Sequence, residues 1–260
     1  MEFENFRHIK VTRDAATTIL TLNRPERLNA TDRLMNHELE VFFQKIVHDR
    51  ETRVIVLTGA GRAFCSGGDL FEHGEFVEDQ FEQEMQVHTR LIHAMLNCPK
   101  PIICKMNGHA YGWGATFALF CDMIFAAEDA RIGDPHVQLG LSTGDGAAII
   151  WPQLMGFPRA KQFLMTGEPM TATQAAQYGL VNEALPLADL DHRVMTIARR
   201  IGEMPVHAMR MTKASINIPL KNLVQQMMDS CIAFEVATQK SAEHATALKD
   251  FAERSKAKAR

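Results

Sequence analysis

The 260-residue sequence predicts an α/β fold. Two runs rich in β-branched and other apolar residues, at 54–58 and 102–106, are each followed by a glycine-bearing turn that is expected to open a helix. From Gly144 onward, helical patterns dominate. Strand–turn–helix units are typical of α/β architecture, so these observations favour a sheet-containing core that is followed by helices.

The predicted strands share β-branched or apolar side chains. The first two are joined by a turn at 13–15, and the run at 54–58 is almost wholly apolar, as in a strand that is buried on both faces. The predicted strands are 6–12, 16–22, 54–58, 102–106 and 123–126.

The predicted helices share apolar side chains at helical spacing, and Thr31 or Asp32 can cap the first of them. An acidic, irregular run at 72–79 predicts a loop before the second helix. Three helices are predicted to start near residue 115, at 158 and at 171, and the others cover 32–48, 81–96, 187–201, 206–215, 220–238 and 242–254.

Composition limits the classes of function. The net charge is -3, with 28 basic and 31 acidic residues, so there is no overall attraction to nucleic acid. The N-terminus lacks a signal-peptide pattern, and no apolar run approaches the ~20 residues that span a bilayer. The five cysteines show no metal-ligand spacing and indicate reduced thiols in a cytoplasmic protein. Cys65 lies in the first glycine turn, where a nucleophile is a minor alternative.

The two glycine turns, at 64–70 and 107–114, carry the strongest functional signal. A backbone N–H group from each turn can point at one carbonyl oxygen. Paired main-chain donors of this kind form an oxyanion hole, which stabilises the charge that develops on a carbonyl during acyl chemistry. The sequence therefore predicts an oxyanion site between these turns.

The same turns, together with residues 22–30, closely resemble the crotonase (enoyl-CoA hydratase/isomerase) superfamily, and the resemblance covers essentially the whole chain. It implies a spiral of ββα repeats over 1–200 and a helical C-terminal region over 201–260 that trimerises. Homotrimers or hexamers are expected. The substrate is expected to be an acyl-CoA, with coenzyme A as part of the substrate and no covalently bound cofactor.

The resemblance assigns the two oxyanion-hole donors to the N–H groups of Gly68 and Trp113. The Trp113 indole either packs in the core beside the turn or forms a wall of the acyl pocket. Phe251 is either a coenzyme A contact or a core residue. The full set of expected substrate-binding residues is Arg27, Leu28, Ala30, Ser66, Asp69, Leu70, Thr116, Phe251 and Lys256.

Hydratases of the superfamily use two glutamates beside the substrate alkene, but the matching positions here are Thr116 and His136. Asp145, near a predicted helix start, can orient His136 through one ring nitrogen and leave the other free for proton transfer. Alternatively, Asp145 only caps the helix and His136 only packs. This His/Asp pattern resembles β-diketone hydrolases typified by 6-oxocamphor hydrolase, and Glu235 falls where those enzymes carry a further glutamate. Glu235 is otherwise a surface or intersubunit charge.

Three functions follow from these residues. The leading one is an acyl-CoA enzyme that stabilises a thioester enolate, with His136 and Asp145 replacing the glutamate pair and Glu235 as a third catalytic candidate. The second is retro-Claisen C–C hydrolysis of a β-diketone. The third is acyl-CoA binding without catalysis. No metal site is predicted, because the remaining histidines lack ligand spacing.

Overall fold

The computed structural model describes residues 5–69 and 78–258. Within them the fold is mixed α/β, as the sequence predicts, and ten strands form two sheets. The strands are β1 (Ile9–Asp14), β2 (Thr17–Leu22), β3 (Val54–Gly59), β4 (Ala63–Cys65), β5 (Ile102–Met106), β6 (His109–Tyr111), β7 (Met123–Ala127), β8 (Arg131–Gly133), β9 (Met170–Thr171) and β10 (Glu183–Leu185).

Nine α-helices lie in the described residues, and two short 3-10 helices cover Pro25–Arg27 and His136–Leu139. None of these helices combines the length and apolar character needed to cross a bilayer. The α-helices are α1 (Arg33–Ile46), α2 (Glu78–Asn97), α3 (Trp113–Leu119), α4 (Ala147–Met155), α5 (Phe157–Thr166), α6 (Ala172–Tyr178), α7 (Leu187–Gly202), α8 (Val206–Gln239) and α9 (Ala242–Lys258).

The larger sheet has the order β1-β2-β3-β5-β7-β10, and only the β1–β2 pair is antiparallel. Its central strand β3 carries Val54, Ile55, Val56 and Leu57, each completely buried. Burying one such side chain contributes roughly 1.5–3 kcal/mol. This confirms the prediction of a strand covered on both faces.

The smaller sheet positions the candidate site. Its strands β4, β6 and β8 run parallel, so their carboxyl ends share one edge of the sheet. The chain leaves that edge at three places, residues 66–68, 112–113 and 134–136. Parallel strands present the loops after their carboxyl ends on one side, which is where ligands bind in many α/β proteins. Both glycine turns therefore lie at the same edge of the sheet as the loop that carries His136.

Three predicted boundaries are wrong. The first strand covers Ile9–Asp14 rather than 6–12, because it pairs in register with β2. Helix α3 begins at Trp113, two residues earlier than predicted. Helix α8 is continuous through Pro219, where the sequence predicts separate helices. Packing on α2 holds it together, and Asn217 Nδ2 donates a hydrogen bond of 3.2 Å to the Leu96 carbonyl.

Other local predictions are confirmed. Asp32 rather than Thr31 caps α1, because its Oδ1 accepts a hydrogen bond of 2.7 Å from the Met35 N–H. The chain ends in the helical region that the sequence predicts, formed by α8 and α9. The predicted loop at 72–79 lies outside the described residues as far as residue 77, and residues 78 and 79 belong to α2.

Candidate active site

The two glycine turns contact each other directly. A Cβ on Gly67 would lie 3.0 Å from the Tyr111 carbonyl oxygen, and a Cβ on Gly114 would lie 2.5 Å from the Cys65 carbonyl oxygen. Gly67 also has a φ of 100°, a conformation that favours glycine. The missing side chains therefore allow the first turn to lie against the second.

Among the described residues, the Gly68 N–H has no backbone acceptor. The Thr31 N–H donates to the Gly67 carbonyl at 2.8 Å, and the Asp69 N–H donates to the Thr31 carbonyl at 2.9 Å. These bonds lie on one side of the extended segment, so the Gly68 N–H points to the other. A Cβ on Gly68 would meet no atom of the described residues within 4 Å.

Trp113 is the first residue of α3, where backbone N–H groups have no acceptor within the helix. In the described part of the chain, neither the Trp113 N–H nor the Gly68 N–H donates a backbone hydrogen bond. Two unused donors thus lie on turns that contact each other. An oxyanion hole requires two such donors to point at one oxygen.

His136 lies beside the second turn. A Cβ on Gly112 would be 3.6 Å from His136 Cε1, and Gly112 itself has a φ of 50°. The His136 side chain is mostly buried, with 13% of its surface exposed. The loop after β8 therefore brings an imidazole next to the turn that precedes α3.

Three carboxyl groups surround the His136 ring. Nδ1 hydrogen-bonds to Asp134 Oδ1, and the His136 backbone N–H donates to the same oxygen at 3.1 Å. On the other side, Nε2 lies 3.5 Å from Glu235 Oε1 and 3.9 Å from Asp145 Oδ2. The expectation that Asp145 orients the ring by a direct hydrogen bond is wrong, because that separation is too long and Asp134 occupies Nδ1 instead.

Asp145 is held by its neighbours rather than by His136. The Thr116 hydroxyl donates to Asp145 Oδ1 at 3.1 Å, and the Ala147 N–H at the start of α4 donates to the same oxygen at 3.2 Å. Burial raises the pKa of Asp145 to about 6, although the positive charge of His136 opposes that rise. Asp145 therefore accepts a hydrogen bond at the start of α4 and also belongs to a cluster that consists of Asp134, His136, Asp145 and Glu235.

Glu235 reaches the cluster from α8. Its side chain is 1% exposed, and Oε2 accepts a hydrogen bond of 2.9 Å from the Gly144 N–H. Burial raises the pKa of Glu235 to about 8, with a smaller opposing effect from His136. Burial rules out the alternative that Glu235 is a surface charge.

The charge of His136 follows from this environment. Burial alone favours the neutral ring, but Asp134, Asp145 and Glu235 together outweigh burial and raise the pKa of His136 well above its ordinary value. An imidazole flanked by carboxyl groups is a typical acid–base group. The cluster can therefore hold and transfer a proton.

The Trp113 indole packs in the core beside the turn. It stacks on the buried His88 ring with centroids 3.8 Å apart and contacts Phe117 at 5.6 Å. Burial, together with the charge of His136, lowers the pKa of His88 to about 3, so His88 is neutral. The core-packing interpretation of Trp113 agrees with these contacts.

Residues expected to contact coenzyme A approach the first turn. The Ser66 N–H donates to the Leu28 carbonyl at 3.1 Å, which fixes the short 3-10 segment beside that turn. Arg27 is exposed on this segment, and Ala30 is buried at its end. The structure thus brings these four residues together.

The remaining expected contacts are less defined. Asp69 forms an ion pair with Arg24 at 3.1 Å, so its carboxylate has a structural partner. Leu70 lies outside the described residues, as does the side chain of Lys256. Phe251 lies half-buried on α9.

Cys65 is not a candidate nucleophile. It is completely buried, and burial raises the pKa of its thiol to about 12. All five cysteines are buried and free. A thiol in this environment is inert at neutral pH, because the reactive form is the thiolate.

Asp134, His136 and Asp145 present side-chain ligand atoms within 4.8 Å of one another, a spacing that a metal ion would also need. The hydrogen bond between His136 Nδ1 and Asp134 accounts for this closeness. We therefore describe the group as an ion-pair network.

Sequence reasoning missed Asp134. The available signal was the Asp134-Pro135-His136 sequence. In turns, an aspartate side chain commonly accepts a hydrogen bond from the backbone N–H two residues further along the chain. That backbone hydrogen bond brings the Asp134 carboxylate close to the ring.

Comparison with known proteins identifies the family. The family described as enoyl-CoA hydratase/isomerase matches residues 12–259. The 1,2-epoxyphenylacetyl-CoA isomerase of Escherichia coli is 30% identical over 236 residues, covering 89% of this chain and 90% of that protein. The short-chain-enoyl-CoA hydratase of Clostridium acetobutylicum is also 30% identical over 236 residues, covering 90% and 88%.

A solved structure shows the same fold. The enoyl-CoA hydratase/isomerase of Mycobacterium paratuberculosis superposes with a TM-score of 0.86 at 30% identity, covering 94% of this chain and 98% of that one. The chain belongs to the enoyl-CoA hydratase/isomerase family, as its glycine turns predicted.

Proposed function

We propose that this protein stabilises the enolate of an acyl-CoA thioester with the N–H groups of Gly68 and Trp113, and that His136 and Asp145 replace the usual glutamate pair. The observation that carries the proposal is the contact between the two turns, with His136 Cε1 3.6 Å from the position of a Gly112 Cβ. Family membership supports the acyl-CoA substrate.

The two N–H donors would act on the thioester oxygen. Removal of an α-proton, or attack at the β-carbon, places negative charge on that oxygen, and two fixed N–H donors stabilise this charge more than they stabilise the neutral thioester. Losing one such donor typically costs about 2.7–4 kcal/mol of transition-state stabilisation. The unused N–H groups of Gly68 and Trp113 are suited to this role.

In this proposal, the cluster around His136 carries out proton transfer. At the first glutamate position, Thr116 supplies a hydroxyl that holds Asp145. At the second, His136 faces both Asp145 and Glu235. Hydration by two glutamates is thus replaced by chemistry that uses one imidazole and the carboxyl groups beside it.

For substrate binding, we propose that coenzyme A lies along Arg27, Leu28, Ala30 and Ser66, because these residues flank the first turn. The five buried free thiols favour a reducing, cytoplasmic location. A homotrimer or hexamer remains the expected assembly, with 1–200 as the core and 201–260 as the helical C-terminal region.

C–C hydrolysis of a β-diketone is a second candidate. The buried Glu235, 3.5 Å from His136 Nε2, is the observation that favours it, because those hydrolases carry a glutamate in this position. In that reaction, His136 would activate water, and the same N–H pair would hold the leaving enolate.

Calorimetry separates these functions. Titration with a set of acyl-CoA thioesters is expected to give heat, and titration with a free cyclic β-diketone is not. The reverse result would favour the diketone hydrolase, and no heat with any CoA ester would remove the leading proposal.

Turnover then separates catalysis from binding alone. His136→Ala is expected to lower the rate of the best CoA substrate by about 10²–10⁴-fold, the usual contribution of a positioned acid or base. Asp145→Asn is expected to lower it in the same direction. If both variants retained the wild-type rate, the proposed roles of His136 and Asp145 would be wrong.

A further inference from the structure

Asp134 is the carboxyl group of the cluster that contacts the His136 ring most directly. Its side chain is completely buried, and Oδ1 receives both the His136 backbone N–H and ring atom Nδ1. Oδ2 has no hydrogen-bond partner among the described residues. Two contacts from one oxygen to one residue fix both the position of the His136 backbone and the rotation of its ring.

Resting on the proposed function, we propose that Asp134 is a positioning residue that keeps Nδ1–H of His136 directed at itself and Nε2–H directed at the site. His136 then enters the reaction as a proton donor to the enolate. This assigns His136 the acid role, in contrast to the activation of water.

The groups that face the ring support this assignment. Asp134 comes from the same loop, Asp145 from the segment before α4, Glu235 from α8 and His88 from α2. Asp134 and Asp145 favour the charged ring at neutral pH, Glu235 does so once it ionises, and the neutral His88 adds no competing positive charge. Removing the Asp134 carboxylate withdraws the group that contacts Nδ1 directly.

The proton step balances. The Nε2 proton passes to the α-carbon of the bound enolate, the enolate π electrons form the new C–H bond, and the thioester carbonyl is restored. The ring becomes neutral and keeps Nδ1–H on Asp134. It regains a proton from the solvent, which has received the one proton released when the enolate formed.

The test is ring nitrogen NMR on protein labelled with ¹⁵N-histidine, recorded without substrate across the pH range. The His136 signals are assigned by their absence in His136→Ala. In the wild type, His136 is expected to remain an imidazolium above pH 7. In Asp134→Asn, its titration is expected to move down by about one pH unit or more, since an adjacent opposite charge shifts a pKa by roughly 1–3 units.

Asp129→Asn is the matched control. It removes the same charge from an exposed position in the turn before β8, and it is expected to leave the His136 titration unchanged. For kcat, Asp134→Asn is expected to shift the alkaline limb to lower pH by the same amount as the titration. Merely structural damage would lower kcat at every pH without moving that limb.

Two results would overturn the proposal. The first is a wild-type protein in which His136 is neutral at pH 7. This measurement uses only the wild type, so it does not depend on whether a variant folds. The second is an Asp134→Asn protein with an unchanged His136 titration. Because both are read without substrate, they are distinct from failure of the proposed function, which would show as unchanged turnover in His136→Ala.

Discussion

At the residue scale, the cluster concentrates three carboxyl groups around one imidazole in a buried place. Glu235 shows most clearly how burial changes these carboxyl groups, because burial raises its pKa to about 8 from an ordinary 4.5. A carboxyl group that stays protonated at neutral pH can donate a hydrogen bond or a proton, as other enzymes achieve by burial. The proton on Glu235 also makes the free energy of unfolding depend on pH.

We expect stability to fall as pH rises through the range from about 4.5 to about 8, because the folded protein keeps a proton on Glu235 that the unfolded chain loses. Glu235→Gln removes this titration, while its side-chain oxygen still accepts from Gly144. The variant is therefore expected to lose less stability than the wild type over this range, by at most about 1.4 kcal/mol per pH unit. Urea unfolding at pH 5 and pH 8 measures the difference.

Glu243→Gln is the control, since this side chain is exposed in the first turn of α9. Its pH dependence should follow that of the wild type. If Glu235→Gln also followed the wild type, the carboxyl group would not be held protonated by the fold.

Thr116→Val tests the support of Asp145. The substitution preserves side-chain shape but deletes the hydroxyl that donates to Asp145 Oδ1 at 3.1 Å. Loss of a buried hydrogen bond to a charged group is expected to cost about 1.5–3 kcal/mol in the free energy of unfolding. Thr196→Val, at an exposed position on α7, should change it little. Equal effects of the two substitutions would contradict this role for Thr116.

At the element scale, the site depends on how closely β4, β6 and α3 approach one another. Gly114→Ala places a methyl group 2.5 Å from the Cys65 carbonyl oxygen, so the first turn must move away from α3. We expect a loss of about 1–3 kcal/mol in stability, as for other overpacked sites. Denaturant unfolding with a parallel activity assay measures both effects.

Gly202→Ala, in α7, is the matched control, because its Cβ would meet no atom within 4 Å. It is expected to be neutral or to stabilise by up to about 1 kcal/mol through helix propensity. If Gly114→Ala changed stability and activity as little as this control, close approach of the two turns would not be required for either.

The elements also show what sequence patterns can and cannot predict. The buried strand β3 was predictable because it consists of a continuous apolar run, and the α1 cap because Asp32 has the right side chain. The continuity of α8 through Pro219 was not, because it depends on tertiary contacts with α2 that outweigh local preference. The backbone contact of Asp134 had a local sequence signal, but its contact with the His136 ring did not, because ring orientation depends on the fold.

At the scale of the whole molecule, α8 leaves large apolar side chains exposed, including Met211 at 61% and Ile218 at 59%. These two residues are seven apart and share a helix face. The expected trimer or hexamer would cover such surface. We predict that Met211→Lys combined with Ile218→Lys shifts the sedimentation coefficient toward smaller species, whereas Lys221→Ala does not. A monomeric wild type at micromolar concentration would contradict the predicted assembly.

The family was also predictable, because the glycine turns that carry the resemblance are short contiguous segments. The cluster joins residues from distant parts of the chain, and Glu235 meets Gly144 across 91 positions. Only the fold shows that Glu235 is buried there rather than exposed on a helix.

The central claim is that the two turns and His136 together stabilise and protonate a thioester enolate. Its most direct test is exchange of the α-protons of acyl-CoA thioesters in D₂O, followed by NMR. The wild type is expected to catalyse exchange well above the buffer rate, and His136→Ala is expected to lower the exchange rate by about 10²-fold or more. Exchange at the buffer rate across a range of acyl lengths, or equal rates in the wild type and His136→Ala, would contradict the claim.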